Sequence, residues 1–137
     1  MTYCVGLLLN EGMVLLSDTR TNAGLDNIAV YRKMFHFEDP GERVISIVTA
    51  GSLSVTQTTI ARLREAIEDE DATEATSIMK APTMLKVASI IGNALAAVRC
   101  EIDEKLATMK QSASASMIVA IAVAAPTGPV TVQPTPA

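Results

Sequence analysis

The chain has 137 residues, of which 49% are hydrophobic, and that is enough apolar sequence to close the core of one domain. It has 11 basic and 15 acidic side chains, a balance that excludes the strongly basic surface expected of a protein that binds nucleic acid or an anionic membrane. We therefore expect protein or small-molecule partners, with no nucleic acid and no membrane.

The sequence predicts a cytoplasmic protein. No basic segment followed by an apolar one opens the chain, so no signal peptide is predicted. The longest uncharged apolar run, residues 117–125, is too short to span a bilayer. Cys4 and Cys100 are far apart and lie in apolar sequence, where free cysteines usually behave as small hydrophobic residues. That pattern suits a reducing compartment.

The first half of the chain has β-strand character. Two apolar runs, residues 3–9 and 13–17, flank a short turn that contains glycine and predict a hairpin. Residues 19–27 are polar and predict a loop, which leads to a short strand at residues 31–37.

A turn at residues 39–42 and a fourth strand at 43–50 precede two predicted helices. Apolar residues at helical spacing between positions 60 and 67 indicate the first helix, and Pro82 fits the first turn of a longer one. Strands followed by helices are typical of an α+β fold in which helices cover antiparallel sheets. The apolar face of the second helix is predicted to comprise Leu85, Ala88, Ile91, Leu95, Val98, Ile102 and Leu106.

The composition changes near the end of the chain. We place the folded core at residues 1–110 and the possible start of another core strand at 111–120. No charged residue follows position 110, and the later prolines disfavour regular structure. Residues 121–137 are therefore predicted to form a disordered, aberrant tail, of the composition that out-of-frame translation of a GC-rich gene would produce.

Thr2 is a candidate nucleophile. Removal of Met1 would leave the Thr2 α-amine free, and such an amine, with an ordinary pKa of about 7.7–8.0, can accept the proton of the hydroxyl on the same residue. Many ordinary chains also begin Met-Thr, so Thr2 alone is weak evidence.

Four segments strengthen the case for Thr2. Residues 2–6 (TYCVG), 17–21 (SDTRT), 32–34 (RKM) and 49–52 (TAGS) resemble, in the same order, the active-site blocks of proteasome β subunits and bacterial HslV. The wording of the first two blocks resembles the Anbu family of bacterial proteasome-like proteins most. The resemblance covers residues 2–106.

The resemblance implies a fold and a catalytic group. The fold is the αββα sandwich of N-terminal nucleophile hydrolases, here incomplete, and the activity is that of a threonine peptidase. Thr2 would be the nucleophile and Lys33 a cation that lowers the pKa of its amine and hydroxyl. Asp18 would pair with Lys33, and the Gly51 N–H would stabilise the oxyanion.

The resemblance also implies a setting for the reaction. Relatives use neither a metal nor an organic cofactor, assemble as homo-oligomers and cleave peptides or proteins. The sequence contains no phosphate-binding loop, so any ATPase would be a separate partner. Arg20, Thr21 and Thr49 correspond to positions near the cleft, and Ser114 or Ser116 to an auxiliary serine.

Plainer interpretations remain open for each residue. Asp18 could cap a hairpin turn, Lys33 could be a solvated strand charge, Gly51 could simply open a helix, and His36 is expected to be structural. Relatives continue with further strands after the long helix, and their absence would limit activity. The alternatives are a catalytically silent, self-assembling scaffold or binding subunit of the same family, and an unrelated α+β domain.

Overall fold

The computed structural model describes residues 2–22, 28–107 and 113–123. Outside these ranges lie Met1, residues 23–27 of the predicted loop 19–27, residues 108–112, and residues 124–137, which are most of the predicted tail. The elements in chain order are β1 (Cys4–Leu9), β2 (Gly12–Ser17), β3 (Arg20–Asn22), β4 (Ile28–Val30), β5 (Met34–Asp39), β6 (Arg43–Gly51), α1 (Leu53–Glu68), α2 (Met84–Leu106) and β7 (Ala115–Val123).

The N-terminal hairpin is confirmed. β1 and β2 pair antiparallel, with Leu7 opposite Val14 and Leu8 opposite Met13. Leu8 is 80% exposed, and both faces of the hairpin carry apolar side chains. An apolar two-stranded ribbon is not stable on an open surface by itself, so this hairpin has the composition of strands that are covered on both sides.

A second hairpin begins within the predicted loop 19–27, which contains β3, and β4 follows that loop directly. β3 and β4 pair antiparallel, and each has three residues. Six strands rather than four therefore precede the first helix. The sequence does not predict β3 and β4, because strands this short are below the length at which alternation is recognisable. The predicted strand at 31–37 is also shifted, because β5 begins at Met34.

The third sheet holds the core. Its order is β5-β6-β7, and all pairs are antiparallel. Residues 121–123, which the sequence assigns to the tail, belong to β7. The central strand β6 is the most buried strand, and α1 and α2 cover one face of the sheet. This core contains Phe37, Ile45, Ile47, Ile60, Leu63, Ile78, Ala81, Val87 and Ile91.

The long helix starts later than predicted. Thr83 is the N-cap of α2 and its hydroxyl accepts a hydrogen bond from the Lys86 N–H, so Pro82 lies just outside the first turn. The predicted apolar face is partly wrong: Leu85 is 77% exposed and Ala88 is exposed, whereas Val87 is buried. A fixed spacing of residues does not match the 3.6 residues of a helical turn. Residues selected by such a spacing therefore rotate around a long helix and leave its buried face.

The α+β class is confirmed. The described residues form antiparallel sheets with one helical layer, and a second helical layer has no counterpart within these ranges. Cys100 is exposed, contrary to the expectation of a small buried residue, while Cys4 is half-buried. None of the described helices is long and apolar enough to cross a membrane.

Candidate active site

A buried lysine joins the predicted site residues. The Lys33 ammonium donates to both carboxylate oxygens of Asp18, at 3.0 and 2.9 Å, and to Thr2 Oγ1 at 3.1 Å. It also donates to the Arg20 carbonyl at 2.6 Å. The Lys33 side chain is only 7% exposed, and its three hydrogens are fully used by these acceptors. The interpretation of Lys33 as a solvated strand charge is therefore wrong.

Asp18 is held in place by the backbone of β1. The Tyr3 N–H donates to Asp18 Oδ1 at 3.0 Å, and the Asp18 N–H donates to the Tyr3 carbonyl at the same distance. The Tyr3 N–H, and secondly the Lys33 ammonium, hold the pKa of Asp18 below its ordinary value. Asp18 is thus a carboxylate at neutral pH and balances the charge of Lys33.

Thr49 fixes the backbone of Lys33. The Thr49 N–H and hydroxyl both donate to the Lys33 carbonyl, at 2.8 and 3.3 Å, and Thr49 is 3% exposed. The Cys4 thiol in turn contacts the Thr49 carbonyl at 3.7 Å. These contacts join three elements: β1, β6 and the segment that precedes β5. The positions of Thr2 and Lys33 therefore depend on one another.

The Cys4 thiol lies close to this group without the properties of a nucleophile. Burial, and secondly the Asp18 carboxylate, raise the pKa of Cys4 above its ordinary value. The thiol therefore stays protonated at neutral pH, and a protonated thiol is a poor nucleophile.

The direction of the Lys33 contact leaves the Thr2 hydroxyl free to act. An ammonium group can only donate hydrogen bonds, so the Thr2 oxygen must accept from Lys33. The hydroxyl proton of Thr2 then points elsewhere and is available for transfer to a base. A cation on one side of the oxygen also stabilises negative charge that develops there.

Gly51 occupies a position that only glycine tolerates. Its φ is +101°, in the region that L side chains rarely adopt. A Cβ at this position would overlap the Ser114 carbonyl oxygen and lie 2.8 Å from Ala115 Cα. The Ser52 N–H donates to the same Ser114 carbonyl at 2.7 Å. Gly51 is therefore required by the close approach of β7, and not only as the entry to a helix.

A cavity of about 380 Å³ brings the candidates together. Thr2, Lys33 and Gly51 line it, and Asp18 lies behind Lys33. Neither Ser114 nor Ser116 is among the lining residues, so the expected auxiliary serine does not reach this cavity. The complete lining is Thr2, Arg20, Thr21, Tyr31, Lys33, Thr49, Ala50, Gly51, Leu53 and Thr56.

Sequence reasoning missed three of the lining residues: Tyr31, Leu53 and Thr56. Leu53 and Thr56 lie in the first turn of α1, directly after Gly51. The only signal for them was their position beside the proposed oxyanion glycine, because threonine and leucine are common in any helix. Tyr31 was assigned to a strand, but it lies in the extended segment before β5.

His36 is separate from this cavity. The residue is exposed, and its Nδ1 lies 2.8 Å from Ser46 Oγ on the neighbouring strand. Among the described residues, no three histidine, cysteine or acidic side chains form a group that could hold a metal ion. His36 thus has the structural setting that the sequence suggested.

Solved structures with a similar fold exist. The chain is 32% identical to Anbu from Pseudomonas aeruginosa, solved as a helical assembly, with a TM-score of 0.78 over 94% of this chain and 51% of that chain. A Gly-1 mutant of Anbu from Hyphomicrobium sp. strain MC1 is 33% identical, with a TM-score of 0.74 over 90% of this chain and 48% of that one. The chain belongs to the Anbu family.

The match to Anbu has a defined extent. Anbu (ancestral beta-subunit) from Yersinia bercovieri is 27% identical, with a TM-score of 0.75 over 90% of this chain. The chain spans about half the length of these Anbu structures. No family model and no curated protein matches it. Over the part that this chain shares with the Anbu structures, its α+β fold is the proteasome-like N-terminal nucleophile fold of Anbu.

Proposed function

We propose that this Anbu chain is a threonine peptidase whose nucleophile is Thr2 after removal of Met1. The observation that supports this most strongly is the Lys33 ammonium, which bridges Thr2 Oγ1 and the Asp18 carboxylate beside an open cavity. An ion pair between Lys33 and Asp18 that only stabilised the fold would not require the additional hydrogen bond from Lys33 to the Thr2 hydroxyl.

The reaction follows from these groups. The free α-amine of Thr2 takes the hydroxyl proton, directly or through water, while Thr2 Oγ1 attacks the carbonyl carbon of a peptide bond. The tetrahedral intermediate collapses, and the protonated α-amine of Thr2 gives that proton to the departing amine of the substrate. An ester between Thr2 and the acyl half of the substrate remains, and a water activated by the same amine hydrolyses it.

Lys33 and Gly51 have separate roles in this scheme. The Lys33 charge favours the neutral, basic form of the nearby amine and stabilises the oxygen of Thr2 as its proton leaves. Gly51 lines the same cavity without a side chain in the way, so its N–H is the proposed donor to the oxyanion. The scheme requires no metal or organic cofactor.

Self-assembly and location form part of the same proposal. Anbu from Pseudomonas aeruginosa was solved as a helical assembly, and we infer that this chain forms homo-oligomers in the cytoplasm. The exposed apolar hairpin β1–β2 supports association, because large apolar patches are normally covered. The substrates would be peptides or proteins, and any ATPase would be a separate protein.

One experiment tests processing and reactivity together. The purified chain is incubated with a peptide epoxyketone, which reacts with an N-terminal threonine, and intact mass and N-terminal sequence are then measured. We expect loss of Met1 and one adduct on Thr2, with no adduct in the Thr2→Ala variant. Retention of Met1, or a free Thr2 that does not react, would show that the chain is instead a catalytically silent subunit.

A further inference from the structure

The N-terminus of helix α1 faces the cavity without a cap. Ser52 occupies the N-cap position, but its hydroxyl makes no capping hydrogen bond and lies 3.0 Å from Ser54 Oγ instead. The first turn of α1 contains no acidic residue. Gly51, Leu53 and Thr56 line the cavity, so free N–H groups and the positive end of the helix dipole lie at its wall.

Two hydroxyls beside this wall lack partners. Thr56 is 2% exposed and lines the cavity, and its hydroxyl makes no hydrogen bond within the described residues. On the other side, the fully buried Thr21 Oγ1 has no hydrogen-bond partner in the described ranges. Buried hydroxyls are normally paired, so the buried Thr21 Oγ1 and the Thr56 hydroxyl at the cavity are both free to bind a polar ligand or water.

The charges around the cavity have one sign. Arg20 and Lys33 are the charged residues of the described lining, and both are cations. Asp18 already balances Lys33, whereas the Arg20 guanidinium has no ion pair or hydrogen bond within the described residues. The excess positive charge, the uncapped helix and the free hydroxyls together fit a ligand that accepts hydrogen bonds and carries negative charge.

We propose that this cavity receives an acidic side chain, aspartate or glutamate, from the substrate residue whose carbonyl carbon Thr2 attacks. When that carbon lies at Thr2 Oγ1 and its oxygen near Gly51, the side chain on the adjacent Cα is the first substrate group to enter the cavity. The inference rests on the proposed peptidase function, and it names the substrate class of the same site.

Binding to a nonreactive variant tests the inference apart from catalysis. The Thr2→Ala chain is titrated in a calorimeter with N-acetylated, C-terminally amidated tripeptides that differ only in a last residue of Glu, Gln or Lys. We expect the Glu peptide to bind about tenfold more tightly than the Gln peptide, because hydrogen bonds to a charged acceptor are stronger. Equal affinity for Glu and Gln, or tighter binding of Lys, would overturn the inference.

Matched substitutions identify the groups responsible. In the Thr2→Ala background, Thr56→Val should lower the Glu-to-Gln affinity ratio about threefold, while Thr58→Val on the exposed side of α1 should leave it unchanged. Arg20→Gln, which keeps the carbonyl that Lys33 binds, should also lower the ratio, whereas Arg64→Gln, with the same change in net charge, should not. A ratio that Thr56→Val and Arg20→Gln both leave unchanged contradicts the proposed pocket.

The two proposals fail in different experiments. If the epoxyketone forms no adduct on Thr2 but the Thr2→Ala chain prefers Glu, the pocket chemistry stands and the peptidase proposal does not. If the adduct forms and fluorogenic peptides with Glu, Gln or Leu before the scissile amide are cleaved equally well, the peptidase stands and the acidic preference is wrong.

Discussion

The Lys33 ammonium lies 2.9 Å from Asp18 Oδ2. This pair connects the end of the first hairpin with the segment before β5, and it orients a nearly buried cation toward Thr2 Oγ1. Most of what we predict for the site depends on this one contact.

Replacing the cation should remove reactivity at Thr2. Lys33→Met keeps a long side chain but has no charge, so we expect the rate of epoxyketone adduct formation to fall by about 100-fold or more, the range for losing assistance to proton transfer. Lys80→Met is the matched control, because Lys80 is exposed and donates to the Ala72 carbonyl. An undiminished rate in Lys33→Met would mean that Thr2 is activated by another group.

The Asp18 carboxylate should make stability depend on pH in the acid range. Its folded pKa lies below the ordinary value of 3.8, first because of the Tyr3 N–H and then because of Lys33. Its contribution to the free energy of unfolding is thus fully present above pH 3.8 and is lost as pH falls through the lower, folded pKa. Urea unfolding of the native chain and of the Asp18→Asn variant between roughly pH 2 and 7 measures the difference.

The comparison variant for that experiment is Glu101→Gln. Arg62 lowers the pKa of Glu101 as well, but this pair lies on the surface, and exposed pairs contribute little to stability. We expect Asp18→Asn to flatten the acid limb of the stability curve and Glu101→Gln to leave it nearly unchanged. Parallel curves for native chain and Asp18→Asn would contradict the assignment.

Gly51 should not accept even one methyl group. Gly51→Ala would place a Cβ against the Ser114 carbonyl at a φ of +101°, and we expect a loss of about 1–3 kcal/mol in the free energy of unfolding. Gly92→Ala makes the same substitution on α2 in open space, where it should stabilise the helix by about 0.5–1 kcal/mol. Thermal unfolding of both variants tests this, and equal midpoints would show that β7 does not constrain Gly51.

Arg43 should stabilise the connection between the helices. Its Nη1 donates to the carbonyls of Ile78, Met79 and Ala81, at 3.1, 3.2 and 2.6 Å. Arg43→Met would leave these acceptors without their donor, at a cost of about 1–3 kcal/mol. The exposed Arg64→Met is the control in denaturant unfolding, and similar midpoints would show that water replaces the guanidinium.

The first hairpin should drive self-association. Leu8 is 80% exposed on a strand whose neighbours are also apolar, so Leu8→Lys should lower the average mass in analytical ultracentrifugation. Leu85, 77% exposed on α2, provides the control Leu85→Lys. If both variants or neither lower the mass, association does not use the hairpin.

Much of the fold was predictable from local patterns. The first hairpin and β6 are apolar runs of five or more residues bounded by turn residues, and both helices have apolar residues at helical spacing. β3 and β4 were missed because three residues give no period. The start of α2 was misplaced because Pro82 and Thr83 are both typical helix-start residues, and only hydrogen bonding separates them.

The site was predictable where it depends on residue types in a known order, and not where it depends on packing. Thr2 and Asp18 both lie within hydrogen-bonding distance of the Lys33 ammonium. The unpaired Thr56 hydroxyl could not be recognised, because nothing in a helical sequence tells which threonine will face a cavity. The sequence likewise predicts a hydroxyl from Ser114 or Ser116 near Thr2, whereas the Ser114 carbonyl is the group that accepts from the Ser52 N–H.

The pairing of β6 with β7 has a consequence for biosynthesis. Gly51 and Ser52 are held by the Ser114 and Ala115 backbone, which the ribosome adds long after both. A nascent chain that has passed α1 already contains every group of the Thr2 site but not the strand that positions Gly51. Under the proposed function, the emerging polypeptide should stay unreactive at Thr2 until β7 is made and joins the sheet.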